Sequence, residues 1–373
     1  MKVSIVCGLA FGDEGKGVVT SSLSLMSNQS LIIRYGAGQQ CGHTVYSNIN
    51  EIKESHVFSN FGSGTLHGHP SYFSEYCTID PFGIKNEFEI LKQKGVNPIL
   101  YIDPLSMITT PFDLINNRGL EKINKHGSCG VGFGATIERN ENKHYKLFAI
   151  DLLNKWIFEE KLNLIHRNLH NSIKIDINYF YESVNWLINN SNIIIEKPDF
   201  NNYDNIIFEG HQGIMLDKDF GFFPHVTRSN TTTKNALNII KANNLKNPEI
   251  FYVTRSYLTR HGNGPMPYEF IPVFLKNNSL ETNVYNKYQG EFRCAPFNLD
   301  LIKHSLRYDE LHGSQNIKSN LVITCCDQIV DKWGVVNNDS ISLHDDIYLN
   351  RIHFDKVFEK VYKIYSPYSN IIS

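Results

Sequence analysis

Short apolar runs set the rhythm of this chain. Val3 to Cys7 is one such run, closed by Gly8, and the glycine-rich stretch that follows to Gly17 gives way to a predicted helix start over Val18–Met26. Comparable runs at Leu31–Tyr35, Ile206–Phe208, Ile250–Arg255 and Leu321–Thr324 also end in polar or glycine-rich segments, with longer helix-like stretches between several of them. Such alternation predicts an α/β fold with a large, mostly parallel central sheet flanked by helices. Apolar residues at mixed three- and four-residue spacing predict surface-packed helices over Leu147–Phe158 and Ile175–Ile188, and Phe354–Tyr365 also reads as helix-like. Asn-rich stretches at Asn189–Asn192, Asn201–Asn205 and Lys276–Lys287 read as surface loops, because Asn favours turns. None of them is long enough for a domain linker and no internal repeat is visible, so residues 1–373 are expected to form a single domain.

Composition narrows the function. At 373 residues and 41% hydrophobic, the chain can bury a large core. A net charge of -2, with no block of like charge, argues against non-specific capture of nucleic acid or of an acidic membrane, which leaves a small ligand as the expected partner. No run approaches the about 18 to 20 residues of a membrane span, and the apolar run after Met1 is too short for a signal peptide, so a cytoplasmic location is expected. The seven cysteines form no C-x-x-C pair and are expected to be free thiols. Cys325 and Cys326, read as neighbours on a strand, would point to opposite faces and hold no shared metal.

The strongest local signal is Gly12-Asp13-Glu14-Gly15-Lys16-Gly17 after the first strand. Glycines let backbone N–H groups approach phosphate oxygens, and a lysine with a helix N-terminus adds positive potential. The segment departs from a Walker A loop: Ala10 stands where its first glycine belongs, and Gly17 replaces the magnesium-binding hydroxyl. A second constellation, Gly36 to Thr44, places Gln40, His43 and Thr44 among small residues just beyond the second strand, where α/β sheets bind ligands. Alone, His43 reads more readily as a hydrogen-bonded structural histidine than as a proton carrier.

Several separated segments, in order, resemble the adenylosuccinate synthetase family. They are Gly12–Gly17, Gly42-His43-Thr44-Val45, the glycine-rich Gly127–Gly134, Glu209-Gly210-His211-Gln212-Gly213 with Asp217, the long Phe223–Thr232, Thr259–Pro265, and Thr324-Cys325-Cys326-Asp327. The resemblance spans about residues 3 to 330 and implies a ligase that phosphorylates the 6-oxygen of a purine nucleotide and replaces it with an amine. It implies that Asp13 removes the purine N1 proton and, with the Gly42 carbonyl, holds Mg²⁺. His43 would act at the γ-phosphoryl group, and Gln212 beside the reacting purine. Gly12, Glu14, Gly15, Lys16, Gly17, Gly42 and Thr44 would hold the donor triphosphate, with Asp327 reading a guanine edge. Gln40, Ser128, Cys129, Gln212, Thr227 and Gly262 would surround a purine nucleoside monophosphate. Lys143, or Arg139, would reach the nucleotide phosphate of a neighbouring subunit in a homodimer.

The chain departs from the family pattern in two places. The amino-acid loop, usually Thr-Thr-Gly-Arg-x-Arg-Arg, reads Tyr288-Gln289-Gly290-Glu291-Phe292-Arg293-Cys294, so Glu291 and Arg293 stand at the amine-donor position and a charge is inverted where the carboxylate of aspartate would be captured. The sequence ends at Ser373 without the Ser-Thr-Gly-Pro segment that packs on guanine in most members, which leaves GTP and ATP both open as donors. A viral branch that uses a guanine deoxynucleotide carries a small residue at the Asp13 position; the aspartate here favours an inosinate-like acceptor. The alternatives are a variant using a deoxynucleotide or guanine nucleotide or another amine, a generic GTPase or kinase, and a nucleotide-binding protein without turnover.

Overall fold

The computed structural model describes all residues except 50–51, 125–128, 143–144, 170–176, 277–280, 282, 284, 286–289, 346–357 and 369–373. Nine strands make one parallel sheet: β1 (Lys2–Gly8), β2 (Ser30–Arg34), β3 (Ser71–Phe73), β4 (Leu100–Ile102), β5 (Ile193–Ile194), β6 (Asn205–Glu209), β7 (Glu249–Arg255), β8 (Lys318–Thr324) and β9 (Val361–Lys363), in the spatial order β9-β8-β7-β1-β6-β2-β3-β4-β5. Among the described residues, eight α-helices connect or flank them: α1 (Lys16–Ser24), α2 (Pro81–Gln93), α3 (Pro111–Asn124), α4 (Phe133–Asn142), α5 (Lys155–Leu169), α6 (Asn178–Asn189), α7 (Lys234–Ala242) and α8 (Leu299–Asp309).

The central strands are mostly apolar and buried nearly from end to end, because both faces are covered. Alternate side chains go to opposite layers. Ile5 and Cys7 of β1 join Ile239 and Ile240 of α7 and Ile302 and Leu306 of α8, whereas Val6 joins Val19 and Leu23 of α1 on the other face. A second core, built from Phe88 of α2, Phe158 and Leu162 of α5 and Phe180 of α6, covers the β4 end of the sheet. Strand β1 lies between the parallel strands β6 and β7, so the chain leaves its carboxyl end beside theirs, the position where open α/β sheets carry ligands.

Three sequence expectations change. Residues 361–363 of the expected C-terminal helix form the edge strand β9, paired with Leu321–Ile323; Tyr362 packs near Phe251, and the β-branched and aromatic pair favours the pleated surface. Leu147–Phe158 divides at Asn154 into a 3₁₀ turn, Ala149–Leu153, and the start of α5. Asn205 is no loop residue: it opens β6, buried, with Nδ2 donating to the Leu23 carbonyl at 3.0 Å and to Ser30 Oγ at 2.8 Å. No described helix is long and apolar enough to cross a membrane.

Candidate active site

The loop from β1 into α1 turns through left-handed backbone at Gly12, Asp13 and Gly15 (φ 95°, 59° and 86°). A glycine at 15 is required, because a Cβ there would press on Thr324 while the backbone stays left-handed. Glu14 is buried and folds back, its carboxylate accepting the N–H groups of Ala10 and Gly12 at 3.0 Å each and closing an ion pair with Lys16. Burial opposes the charge on Lys16, but Glu14 outweighs it and holds the ammonium above its ordinary range. Glu14, expected to bind the donor, is therefore first a brace for the loop and a partner for Lys16. The loop carbonyls are tied from behind: Thr259 Oγ1 donates to Gly12 O at 3.2 Å, Arg255 Nε to Asp13 O at 2.5 Å and Thr324 Oγ1 to Glu14 O at 2.7 Å. These ties leave the Asp13 carboxylate facing the cleft. Burial pushes the Asp13 carboxyl up, against the pull of Arg255 and Lys16.

His43 opens a hairpin, His43–Ile49 with Ile52–Phe58, rather than lying in a loop. Its Nδ1–H donates to Glu209 Oε1 at 2.6 Å, and its Nε2 lies 3.3 Å from Cys41 Sγ. Glu209, fully buried at the end of β6, also accepts from Ser63 N at 3.0 Å and from the Ser63 hydroxyl, with Arg34 Nη1 3.8 Å away. Burial works against the imidazolium, yet Cys41 and Glu209 overcome it and raise the pKa of His43. Burial likewise raises the Cys41 thiol, but His43 and Arg34 prevail and bring it down to about 6. The cationic form of His43 is thus favoured and its ring orientation fixed, as a donor to developing negative charge needs.

Two clefts meet here. The first, about 400 Å³, is lined by Gly12 to Gly17, Gln40 to Thr44, Arg255 and Asp327. The second, about 440 Å³, is lined by Cys129, Phe133, Thr227, Arg228 and Arg260. Gln40, Gln212, Leu216 and His261 belong to both walls and form the seam between them. Gln212 adopts φ 45°, and the glycine after it has no room for a side chain: a Cβ at Gly213 would run into Ala10 O and the Glu14 carboxylate. The Oε1 of Gln212 and the Nε2 of Gln40 are buried with no hydrogen-bond partner. Buried polar atoms are otherwise almost always paired, so two orphans at one seam are the mark of groups placed for a polar ligand.

Most of the sequence-predicted residues therefore converge: Gly12, Asp13, Glu14, Gly15, Lys16, Gly17, Gln40, Gly42, His43, Thr44, Gln212 and Asp327 at the first cleft, with Cys129 and Thr227 at the second. Others do not. Ser128 and Lys143 lie outside the described residues. Arg139 is buried, its Nε and Nη2 each 2.9 Å from an oxygen of Asp113 and its Nη2 2.7 Å from Ile108 O, so it is a structural cation of the α3–α4 pair and not free to reach another subunit. Glu291 is exposed, and neither it nor Arg293 lines a cleft; the carbonyl of Gly262 is taken by Arg293 at 2.7 Å. Cys325 and Cys326 follow the end of β8, Cys325 left-handed at φ 57° and Cys326 in a 3₁₀ turn, so the strand-face argument does not apply to them. Sequence reasoning assigned no role to Cys41, Glu209 or Glu281. For Glu209 the signal was its place at the head of the Glu-Gly-His-Gln-Gly segment, whereas Cys41 and Glu281 carried none.

The adenylosuccinate synthetase family model matches residues 5–329. An adenylosuccinate synthetase of Thermoplasma volcanium is 27% identical over 328 residues, 83% of this chain and 73% of its own. Among solved structures, the fully ligated adenylosuccinate synthetase of Plasmodium falciparum superimposes with a TM-score of 0.68 at 20% identity, covering 88% of this chain and 77% of that one. The succinoaminodeoxyadenylate synthetase of cyanophage S-2L, bound to dGMP and dATP, does so with a TM-score of 0.55 at 16% identity, covering 87% and 85%. At such identities these two likenesses are of fold.

Proposed function

The chain belongs to the adenylosuccinate synthetase family and is a carbon–nitrogen ligase of purine nucleotides, and from that premise we propose that it joins L-aspartate to inosinate at the expense of GTP or ATP. The observation that carries the reading is the seam: the unpaired Nε2 of Gln40 and Oε1 of Gln212 stand where a purine in the second cleft would turn its 6-oxygen toward Asp13, His43 and Lys16 in the first.

On this reading Asp13 removes the N1 proton, a task that a carboxylate of raised pKa performs well near neutral pH. The electron pair freed at N1 makes O6 a nucleophile toward the γ-phosphorus; the O6–P bond forms as the bond to the nucleoside diphosphate breaks. The His43 imidazolium donates to the phosphoryl oxygens during this transfer. The amine of aspartate then adds at C6, and phosphate leaves with the former 6-oxygen. Asp13 and the Gly42 carbonyl are hard oxygen donors of two residues that both line the first cleft, a short set that suits Mg²⁺ when phosphates and water complete its shell, and the ion would supply charge to offset those phosphates.

The test is phosphate release from inosinate, aspartate and GTP or ATP with each component omitted in turn. Release that needs all three supports the ligase; release without inosinate favours a simple triphosphatase and rejects it. A second reading, an amine other than aspartate, is favoured by the acidic Glu291 and by the turning of Arg293 onto Gly262, Gly264 and Glu269. A panel of amines offered with inosinate separates the two.

A further inference from the structure

An amino acid that brings its nitrogen to the seam must lay its carboxylate against a cation nearby. The loop after Gly290 does not provide one. Arg293 gives its guanidinium to the carbonyls of Gly262 and Gly264, at 2.7–3.1 Å, and to the Glu269 carboxylate.

Arg255, at the end of β7, is differently placed. It is buried to 6% exposure and lines the first cleft together with Asp13, His261 and Glu281. Its Nε holds the Asp13 carbonyl at 2.5 Å, so its guanidinium sits directly behind the residue that acts on the purine. Its Nη1 donates to the Tyr257 hydroxyl at 2.9 Å and to Glu281 Oε2 at 2.7 Å. The cation of this wall therefore already carries a carboxylate, and that carboxylate belongs to the chain itself. Glu281 is in turn braced by Asn283, whose N–H and Nδ2 donate to its other oxygen at 3.1 Å and 2.7 Å.

We propose that Arg255 is the receptor for the carboxylate of the amine donor, and that Glu281 is a built-in competitor which the donor displaces. The proposal rests on the ligase reading above and deepens it. Exchanging one carboxylate for another keeps the guanidinium neutralised throughout, whereas an amine without a carboxylate has nothing to offer in exchange. The pair thus selects an amino acid over ammonia, and takes over a task that Arg293, turned to Gly262, Gly264 and Glu269, does not perform from outside both clefts. It also lowers apparent affinity, since only the fraction of molecules with Arg255 released can bind.

Kinetics with aspartate varied at saturating inosinate and triphosphate provide the test. Glu281→Gln should lower the KM for aspartate about five-fold by removing the competitor. Arg255→Lys should raise it about ten-fold or more, because a point charge does not reproduce the fork geometry, while the KM values of both nucleotides move less than about two-fold. A KM for aspartate that is unchanged or raised in Glu281→Gln overturns the proposal, as does a shift in triphosphate KM equal to that of aspartate in Arg255→Lys. Calorimetric titration of L-aspartate into the inosinate-saturated protein reads the same contrast without turnover. If the wild-type protein shows no aspartate-dependent phosphate release, the ligase reading fails; tighter aspartate binding by Glu281→Gln still supports the carboxylate receptor, and equal binding overturns it.

Discussion

Glu209→Gln removes one negative charge from a fully enclosed cluster while keeping the side chain's shape. Glu209 is fully buried and is shared by His43, Ser63 and, at 3.8 Å, Arg34. An amide keeps one acceptor but turns N–H protons toward groups that already donate, so a hydrogen bond is lost as well as a charge. Breaking a buried pair on one side costs about 3–5 kcal/mol, because the partner charge is left uncompensated. With an unfolding entropy of about 2.1 cal/mol/K per residue, a chain of 373 residues should lose about 4–6 °C of melting temperature. The second consequence is electrostatic. Burial already opposes the His43 imidazolium, and Cys41 and Glu209 are what raise its pKa. Without Glu209 the imidazole loses its proton at lower pH, so the alkaline limb of the kcat profile should move down in pH. Thermal melts and a pH–rate profile of the variant measure both. A melting temperature within 1 °C of wild type by this reckoning, together with an unmoved alkaline limb, would refute the account of the cluster.

Cys41→Ala should shift the same alkaline limb downward, since Cys41 is the larger of the two contributions that raise His43; a pH–rate profile checks it. Arg139→Met should destabilise the fold by about 3–5 kcal/mol through the stranded Asp113, yet leave the KM for the purine nucleotide within about two-fold; denaturant melts and steady-state kinetics decide. Asp80 caps α2 by accepting from Phe82 N at 3.1 Å, and burial pushes its carboxyl up from 3.8 to about 6. The folded chain therefore holds a proton that the unfolded chain releases, and stability should fall by about 3 kcal/mol as pH rises through the window from 3.8 to about 6. Asp80→Asn keeps a capping oxygen and should flatten that slope in melts across the window.

Much of this site was legible in the chain because its signals are local. The apolar run of β1, the glycines after it and the onset of α1 lie within two dozen residues, and the left-handed turns at Gly12 and Gly15 are what those glycines are for. The parallel sheet was legible for the same reason: strands covered on both faces read as unbroken apolar runs. The rest depends on contacts that spacing does not encode. Glu209 meets His43 across 166 positions of sequence, and Arg255 meets Asp13 across 242. Arg139 looked available because the family resemblance places a basic residue there at a neighbouring subunit's phosphate; its burial against Asp113 exists only once α3 and α4 pack. Residues 361–363 were misread because three residues carry too little periodicity to separate strand from helix, and pairing with β8 decides the matter.

The central claim is that Asp13 makes the purine 6-oxygen a nucleophile, so that this atom leaves as phosphate. Inosinate labelled with ¹⁸O at position 6, incubated with aspartate and the triphosphate, tests it directly by mass analysis of the inorganic phosphate. The account predicts one ¹⁸O per phosphate formed with the wild-type protein and no labelled phosphate with Asp13→Ala. Unlabelled phosphate from the wild type, or full labelling by the variant, would contradict it.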